Sequence, residues 1–80
     1  MEAAIFALLA ERATGATICP SEVARALTAD WRPLMGPVRE VAFRLAREGR
    51  LEVRQKGQVV PPDPPPRGPI RLAPPDAPPR

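Results

Sequence analysis

The sequence predicts a small, mainly α-helical domain that ends in a β-hairpin. Apolar residues recur every three or four positions up to residue 48, which is the helical period, and every second position after Gly49, which is the strand period. Ten of the 13 prolines lie at or after Pro61, so about sixty residues are left to build a core. A domain of roughly that size buries only about 60% of its unfolded surface. We therefore expect one small, aliphatic core.

The first helix is predicted from Glu2 to Ala13. Its apolar side chains fall on one stripe along the helix. The stripe consists of Ile5, Leu8, Leu9 and the aliphatic stem of Arg12. Gly15, which follows the poor helix former Thr14, is expected to end the helix.

A short second helix is predicted within the segment from Ile18 to Leu27. Cys19 takes the N-cap position, and Pro20 suits the first turn because its missing N–H would have no partner there. Glu22 falls in the same turn, where a carboxylate favours the positive end of the helix dipole. Ile18 is expected to pack back over this turn. The apolar face consists of Val23, Ala24 and Leu27.

Residues 28–36 predict a short helical turn followed by a break. Asp30 can cap a turn through residues 31–33. A proline inside a longer helix would remove a hydrogen bond and clash with the carbonyl four residues earlier. The sequence therefore predicts a break at Met35–Gly36 and a third helix that starts at Pro37.

The third helix, from Pro37 to Glu48, has the clearest pattern of all. Its inner stripe follows the helical spacing and consists of Val38, Val41, Ala42 and Leu45. Gly49 stands where a left-handed residue usually ends a helix. Plotted at 100° per residue, the opposite, mostly cationic face carries Arg39, Glu40, Phe43, Arg44 and Arg47.

Strands are predicted after Gly49. Apolar and charged residues alternate from Leu51 to Arg54, which indicates a half-buried strand. Residues 55–58 predict a turn, and residues 59–60 continue the hairpin. The prolines of residues 61–66 lack the N–H groups that a sheet needs, so a loop is expected there. Residues 69–72 can then return beside residues 51–55.

This order of elements is that of a winged helix-turn-helix domain. We expect the domain to span residues 1–72 and a proline-rich, disordered tail to span residues 73–80. Residues 1–30 carry two basic and four acidic groups, a net charge of −2, whereas residues 31–80 carry ten and five, a net charge of +5. The second half is therefore expected to face an anionic partner.

Seven residues are candidate nucleic-acid contacts. In a winged helix-turn-helix domain the third helix can enter the DNA major groove while the wing touches the backbone or minor groove. The candidates are Arg39, Phe43, Arg44 and Arg47 on the third helix, and Arg54, Lys56 and Arg67 on the wing. They favour a small regulator that binds double-stranded DNA. Alternatively, Arg44 forms surface ion pairs with Glu40 or Glu48, which lie four residues away.

Other interpretations stay open at this stage. The domain could be a protein–protein interaction module that uses an exposed Phe43 and its proline-rich tail. Trp31 is either a core residue or a platform for cation–π contacts. Cys19 is either an inert cap or a redox-sensitive thiol.

No enzyme activity and no cofactor are expected. The sequence has no His and one Cys, which excludes an internal disulfide and a structural zinc site. It also lacks a P-loop and a dinucleotide-binding fingerprint. Residues 3–10 are apolar but too few to span a membrane, which takes about 20 residues, and no basic start precedes them as in a signal peptide. A cytoplasmic location is therefore expected.

Four segments resemble a bacterial domain-of-unknown-function family whose members are small predicted winged-helix proteins. These segments are residues 18–27, 30–35, 49–57 and 67–72, and the resemblance covers nearly all of residues 3–72. It implies a winged-helix fold without an established activity. Some members carry a tRNA ribosyltransferase label, to which a chain of 80 residues without a cofactor pocket gives no physical support. The prolines of residues 61–66 stretch the wing beyond the family pattern.

Overall fold

A computed structural model describes residues 1–12 and 16–75 of the chain. Within these residues, three α-helices are followed by three β-strands. A 3₁₀ turn precedes the third helix. The elements are α1 (Glu2–Glu11), α2 (Pro20–Leu27), the 3₁₀ turn (Arg32–Leu34), α3 (Met35–Arg47), β1 (Glu52–Gln55), β2 (Gln58–Val60) and β3 (Arg71–Ala73).

Helix α1 supplies one side of the core. Ile5 and Leu9 are buried as predicted, whereas Leu8 is half-buried. Arg12 is exposed, and its guanidinium forms an ion pair with Glu22 of α2. The helix ends at Glu11, and its predicted end at residue 13 is wrong because the Arg12 backbone is already extended, with φ −86° and ψ 156°. The expected stop at Gly15 lies outside the described residues.

Helix α2 begins with Pro20 and has Cys19 at its N-cap, as predicted. Glu22 returns to the cap, where its Oε2 accepts a hydrogen bond of 2.9 Å from the Cys19 backbone N–H. Val23 and Ala24 are buried. The placement of Leu27 on the buried face is wrong, because Leu27 is the last residue of the helix and its side chain is 43% exposed.

The link between α2 and α3 differs from the prediction. Trp31, not Asp30, caps the 3₁₀ turn, and the predicted break at Met35–Gly36 is wrong because the turn leads directly into α3. Pro37 is the third residue of that helix. The first four N–H groups of a helix have no partner within it, so a proline at this position loses no helical hydrogen bond.

Helix α3 crosses the middle of the core. Val38, Ala42 and Leu45 are fully buried and Val41 is half-buried, close to the predicted stripe. The helix ends in a Schellman motif at Gly49, whose φ is +76°. The Gly49 N–H donates to the Ala46 carbonyl at 3.0 Å, and the next N–H donates to the Leu45 carbonyl at 2.9 Å. The predicted left-handed position of Gly49 is thus confirmed.

The strands form an antiparallel sheet in the order β2-β1-β3. A two-residue turn joins β1 to β2, with Lys56 at φ 51° and Gly57 at φ 79°. Strand β3 returns beside β1 as predicted, with Leu72 opposite Val53, and both side chains are buried. The strand continues to Ala73, one residue past the expected end of the domain.

A contact that the sequence pattern does not show joins the helices to the sheet. Ile18 pairs with Leu72 as an isolated bridge, through hydrogen bonds of 2.9 Å and 2.7 Å in the two directions. Ile18 is fully buried there, so it extends the sheet rather than only covering the first turn of α2. Three helices and a three-stranded antiparallel sheet give the winged helix-turn-helix arrangement. No helix in the described part of the chain is long and apolar enough to cross a membrane.

Candidate nucleic-acid interface

Arg39 of α3 is bound to the chain's own loop. Its Nη1 donates to the Gly68 carbonyl and its Nη2 to the Pro66 carbonyl, each at 3.1 Å. The guanidinium also lies over the Phe43 ring, 5.4 Å from the centroid. The expectation that Arg39 projects freely from the outer face is therefore wrong, because the long loop after β2 packs against this part of the helix.

The same loop changes the role of Phe43. The ring is only 6% exposed and belongs to the core, so its predicted place on an accessible face is wrong. Pro65 lies beside it across a shallow cavity of about 440 Å³, which Glu40 and Arg47 also line. A helical projection shows only how the side chains of one helix are arranged around its axis. It therefore could not show that a proline-rich loop, distant in sequence, covers Phe43.

Arg44 is neutralised by carboxylates. Its guanidinium contacts the Glu2 carboxylate at 2.9 Å and the Glu48 carboxylate at 3.5 Å. The hydrogen bond from Arg44 lowers the pKa of Glu2, and the same bond raises the pKa of Arg44. Arg44 is thus a surface ion-pair residue, as the alternative interpretation proposed for its contact with Glu48.

Arg47 alone of the three predicted arginines of α3 keeps its guanidinium available. Its side chain is exposed, and it makes no hydrogen bond or ion pair to any residue that the structure describes. One accessible arginine beside an exposed Glu40 does not make the outer face of the helix continuously cationic. The helix therefore contributes less positive charge than the sequence predicted.

The wing gathers the remaining predicted cations. Between the β1–β2 hairpin and the loop of residues 61–70 lies a groove with a volume of about 710 Å³, which we call the wing groove. No Asp or Glu belongs to its lining within residues 1–12 and 16–75. The groove is lined by Arg54, Gln55, Lys56, Gln58, Val60, Arg67, Pro69, Ile70 and Arg71.

Three of these lining residues were predicted, and they differ in their partners. Arg54 donates to the Glu52 carboxylate beside the groove, from Nε at 3.1 Å and from Nη2 at 2.9 Å. Lys56 and Arg67 are exposed and form no ion pair with the described residues. The loop is held by Gln55, whose Nε2 donates to the carbonyl of Arg67 at 2.6 Å and to that of Pro69 at 3.3 Å.

Arg71 is a lining residue that the sequence interpretation missed. It stands directly opposite Arg54 in the β1–β3 register, so both side chains leave the sheet on the same face. Its Nε and Nη2 donate to the hydroxyl and carbonyl oxygens of Thr17, at 2.8 Å and 3.0 Å. The alternation of Arg71 with the apolar residues Ile70 and Leu72 was the signal that could have placed it there.

Cys19 has a polarised but half-buried thiol. Its Sγ lies 2.8 Å from the Ser21 hydroxyl. Partial burial raises the pKa of the thiol, but hydrogen bonds from the Ser21 hydroxyl and from the backbone amides of Ser21 and Glu22, together with the charge of Arg71, bring it below its ordinary value. Backbone amides in the first turn of α2 therefore help to lower the pKa of the thiol of its N-cap residue.

Comparison with known proteins adds a family but no activity. A search of curated proteins finds no match to the chain. The model of a protein family of unknown function, DUF3253, matches residues 1–75. That match covers α1 through β3, including every lining residue of the wing groove. The chain therefore belongs to the DUF3253 family.

Proposed function

We propose that this domain is a non-catalytic nucleic-acid-binding module, a small regulator that binds double-stranded DNA mainly through its wing. In this proposal the wing groove makes most of the contacts with DNA, and Arg47 is the one contact that α3 adds. Helix α3 loses Arg39 and Arg44 as free cations, because the first holds the loop and the second is paired with carboxylates.

The observation that carries this proposal is the lining of the wing groove. Among the residues that the structure describes, the lining contains four cationic side chains and no carboxylate. Lys56 and Arg67 are exposed and unpaired among the described residues, whereas Arg54 is paired with Glu52 and Arg71 is hydrogen-bonded to Thr17. Arg and Lys are the residues that contact the phosphates of the DNA backbone in most complexes.

The test is a titration of a labelled, random-sequence DNA duplex at low salt. Replacing both unpaired cations, Lys56→Gln with Arg67→Gln, is expected to weaken binding by about tenfold or more and to lower the slope of log affinity against log salt by about 2, because each contact that neutralises a phosphate releases counterions. The unmodified domain should bind weakly and lose affinity as salt rises.

The matched control removes two arginines that are already paired. Arg44→Gln with Arg50→Gln changes the net charge by the same amount, but both side chains contact the Glu2 carboxylate. This control should bind the duplex nearly as well as the unmodified domain. Absence of binding at about 50 mM salt, or equal losses in the two double variants, would refute the proposal.

The protein-interaction alternative has lost one of its two supports. It depended on an exposed Phe43, which is buried, and on the tail of residues 73–80, of which residues 76–80 lie outside the described part. A bacterial origin and a cytoplasmic location accord with a DNA-binding regulator and belong to this proposal.

A further inference from the structure

Two arginines stack on the single tryptophan of the chain. The Cζ atoms of Arg25 and Arg32 lie 4.6 Å and 4.7 Å from the centroid of the Trp31 ring. Both distances are within the range of about 6 Å at which a cation is attracted to an aromatic face. Trp31 is half-buried and packs against the core, so its position is fixed. We call these three residues the Trp31 stack.

The two guanidinium groups of the Trp31 stack have no other partner. Neither donates a hydrogen bond or forms an ion pair within the part of the chain that the structure describes. By contrast, Arg12, Arg44, Arg50 and Arg54 are paired with carboxylates. Asp30, the acidic residue next in sequence to Trp31, is exposed and pairs with neither arginine.

This arrangement suits a phosphate group. A guanidinium that stacks through its face keeps its edge of N–H donors directed away from the ring, and that edge matches the oxygens of a phosphate. Two such groups on one fixed ring lose little freedom when they bind an anion.

The Trp31 stack lies at the same end of α3 as the loop of the wing. Arg32 belongs to the turn that leads into α3 at Met35. Arg39, which binds the carbonyls of Pro66 and Gly68, is seven residues beyond Arg32, or roughly 10 Å at a helical rise of about 1.5 Å per residue. A ligand with several phosphates could therefore contact both places.

We propose that the Trp31 stack is a second phosphate-binding site, which extends the DNA-binding surface from the wing groove to the turn before α3. This inference rests on the proposed function, because it assigns the phosphates to the backbone of a DNA duplex. The negative charge of Asp30, next in sequence to Trp31, should repel a phosphate. Removing that charge should therefore strengthen binding, whereas removing Arg25 or Arg32 should weaken it.

The experiment follows the fluorescence of Trp31, the only tryptophan in the sequence, during titration with the duplex. The emission should change on binding. Arg25→Gln and Arg32→Gln should each weaken binding by about threefold or more and lower the salt slope by about 1, as expected for a phosphate contact. Asp30→Asn should strengthen binding. Urea titrations of the same variants show whether the fold is intact.

The control is Arg50→Gln, which removes one charge from a guanidinium that is already paired with the Glu2 and Glu48 carboxylates. The control variant should keep both the affinity and the change in emission. A parallel titration uses inorganic phosphate at the same phosphate concentration as the duplex, and it should leave the emission unchanged.

Each contrary outcome has a separate meaning. If Lys56→Gln with Arg67→Gln weakens binding but the Arg25 and Arg32 variants and the emission of Trp31 do not respond, the inference is wrong and the wing proposal stands. If inorganic phosphate changes the emission as strongly as the duplex, the assignment to DNA is wrong. If the duplex does not bind at all, both proposals are wrong.

Discussion

Arg39 is a cation whose donors are already occupied. Its two terminal nitrogens hold two carbonyl groups of the long loop, and its planar face lies over Phe43. A lysine has one point charge on a flexible stem and could not make both contacts in this plane. The side chain therefore stabilises the position of the wing relative to α3, and it contributes little charge to an outside partner.

Loss of Arg39 should loosen the loop without unfolding the domain. We expect Arg39→Gln and Arg39→Lys to lower the free energy of unfolding by about 1 kcal/mol, the usual net value of a hydrogen bond in water. Trypsin should cleave after Arg67, in this loop, faster in both variants. If the lysine variant resists cleavage as well as the unmodified domain does, charge rather than the planar fork holds the loop.

Phe43 should act as a core residue, not as a DNA contact. Its ring is 6% exposed, and truncation of a buried Phe to Ala costs about 3–5 kcal/mol. Small domains have about 5–15 kcal/mol in total, so Phe43→Ala should leave the domain close to unfolding in a urea titration. Phe43→Leu should cost less. A stable Phe43→Ala variant that fails to bind the duplex would restore the interpretation drawn from the helical projection.

At the scale of single elements, local signals determine the helix ends. The N-cap Cys19, Pro20 in the first turn and the left-handed Gly49 were all predictable, since each depends on the residue itself and its nearest neighbours. The continuous passage from the 3₁₀ turn into α3 was not. The penalty for proline applies inside a helix, and the sequence does not show that Pro37 lies in the first turn.

The cap of α2 should make stability depend on pH through Glu22. The hydrogen bond from the Cys19 backbone N–H, with help from Arg12, lowers the pKa of Glu22 below its usual 4.5 in the folded domain. A lowered folded-state pKa adds stability that is present above the unfolded pKa and is lost as pH falls through the folded pKa. Glu22→Gln removes this titration but keeps an oxygen that can accept the bond.

The measurement compares urea unfolding of the two proteins at neutral and acidic pH. The unmodified domain should be more stable than Glu22→Gln near neutral pH, by about 1 kcal/mol or less for a cap of this type. The difference should shrink below pH 4.5, where the carboxylate becomes protonated. An equal difference in stability at neutral and acidic pH would contradict this role of the Glu22 carboxylate.

At the scale of the whole molecule, the order of the elements was predictable and their packing was only partly so. Buried side chains recur every three or four residues in a helix and every second residue in a strand, so the sequence pattern distinguishes the two. The patterns of residues 38–45 and 51–54 therefore predicted the buried face of α3 and the first strand. The loop of residues 61–70 has no period. Its position across α3 depends on contacts that are far apart in sequence, such as Arg39 with Gly68, and these contacts changed the predicted site most.

The bridge between Ile18 and Leu72 joins the segment before α2 to strand β3. Leu72, the bridge partner of Ile18, lies 54 residues farther along the chain and is made after all three helices of the described chain. A growing chain can form its helices while still on the ribosome, but it has no complete interior until residues 70–72 have emerged. The apolar surface of the helices therefore stays uncovered until β3 has been made and packs against them.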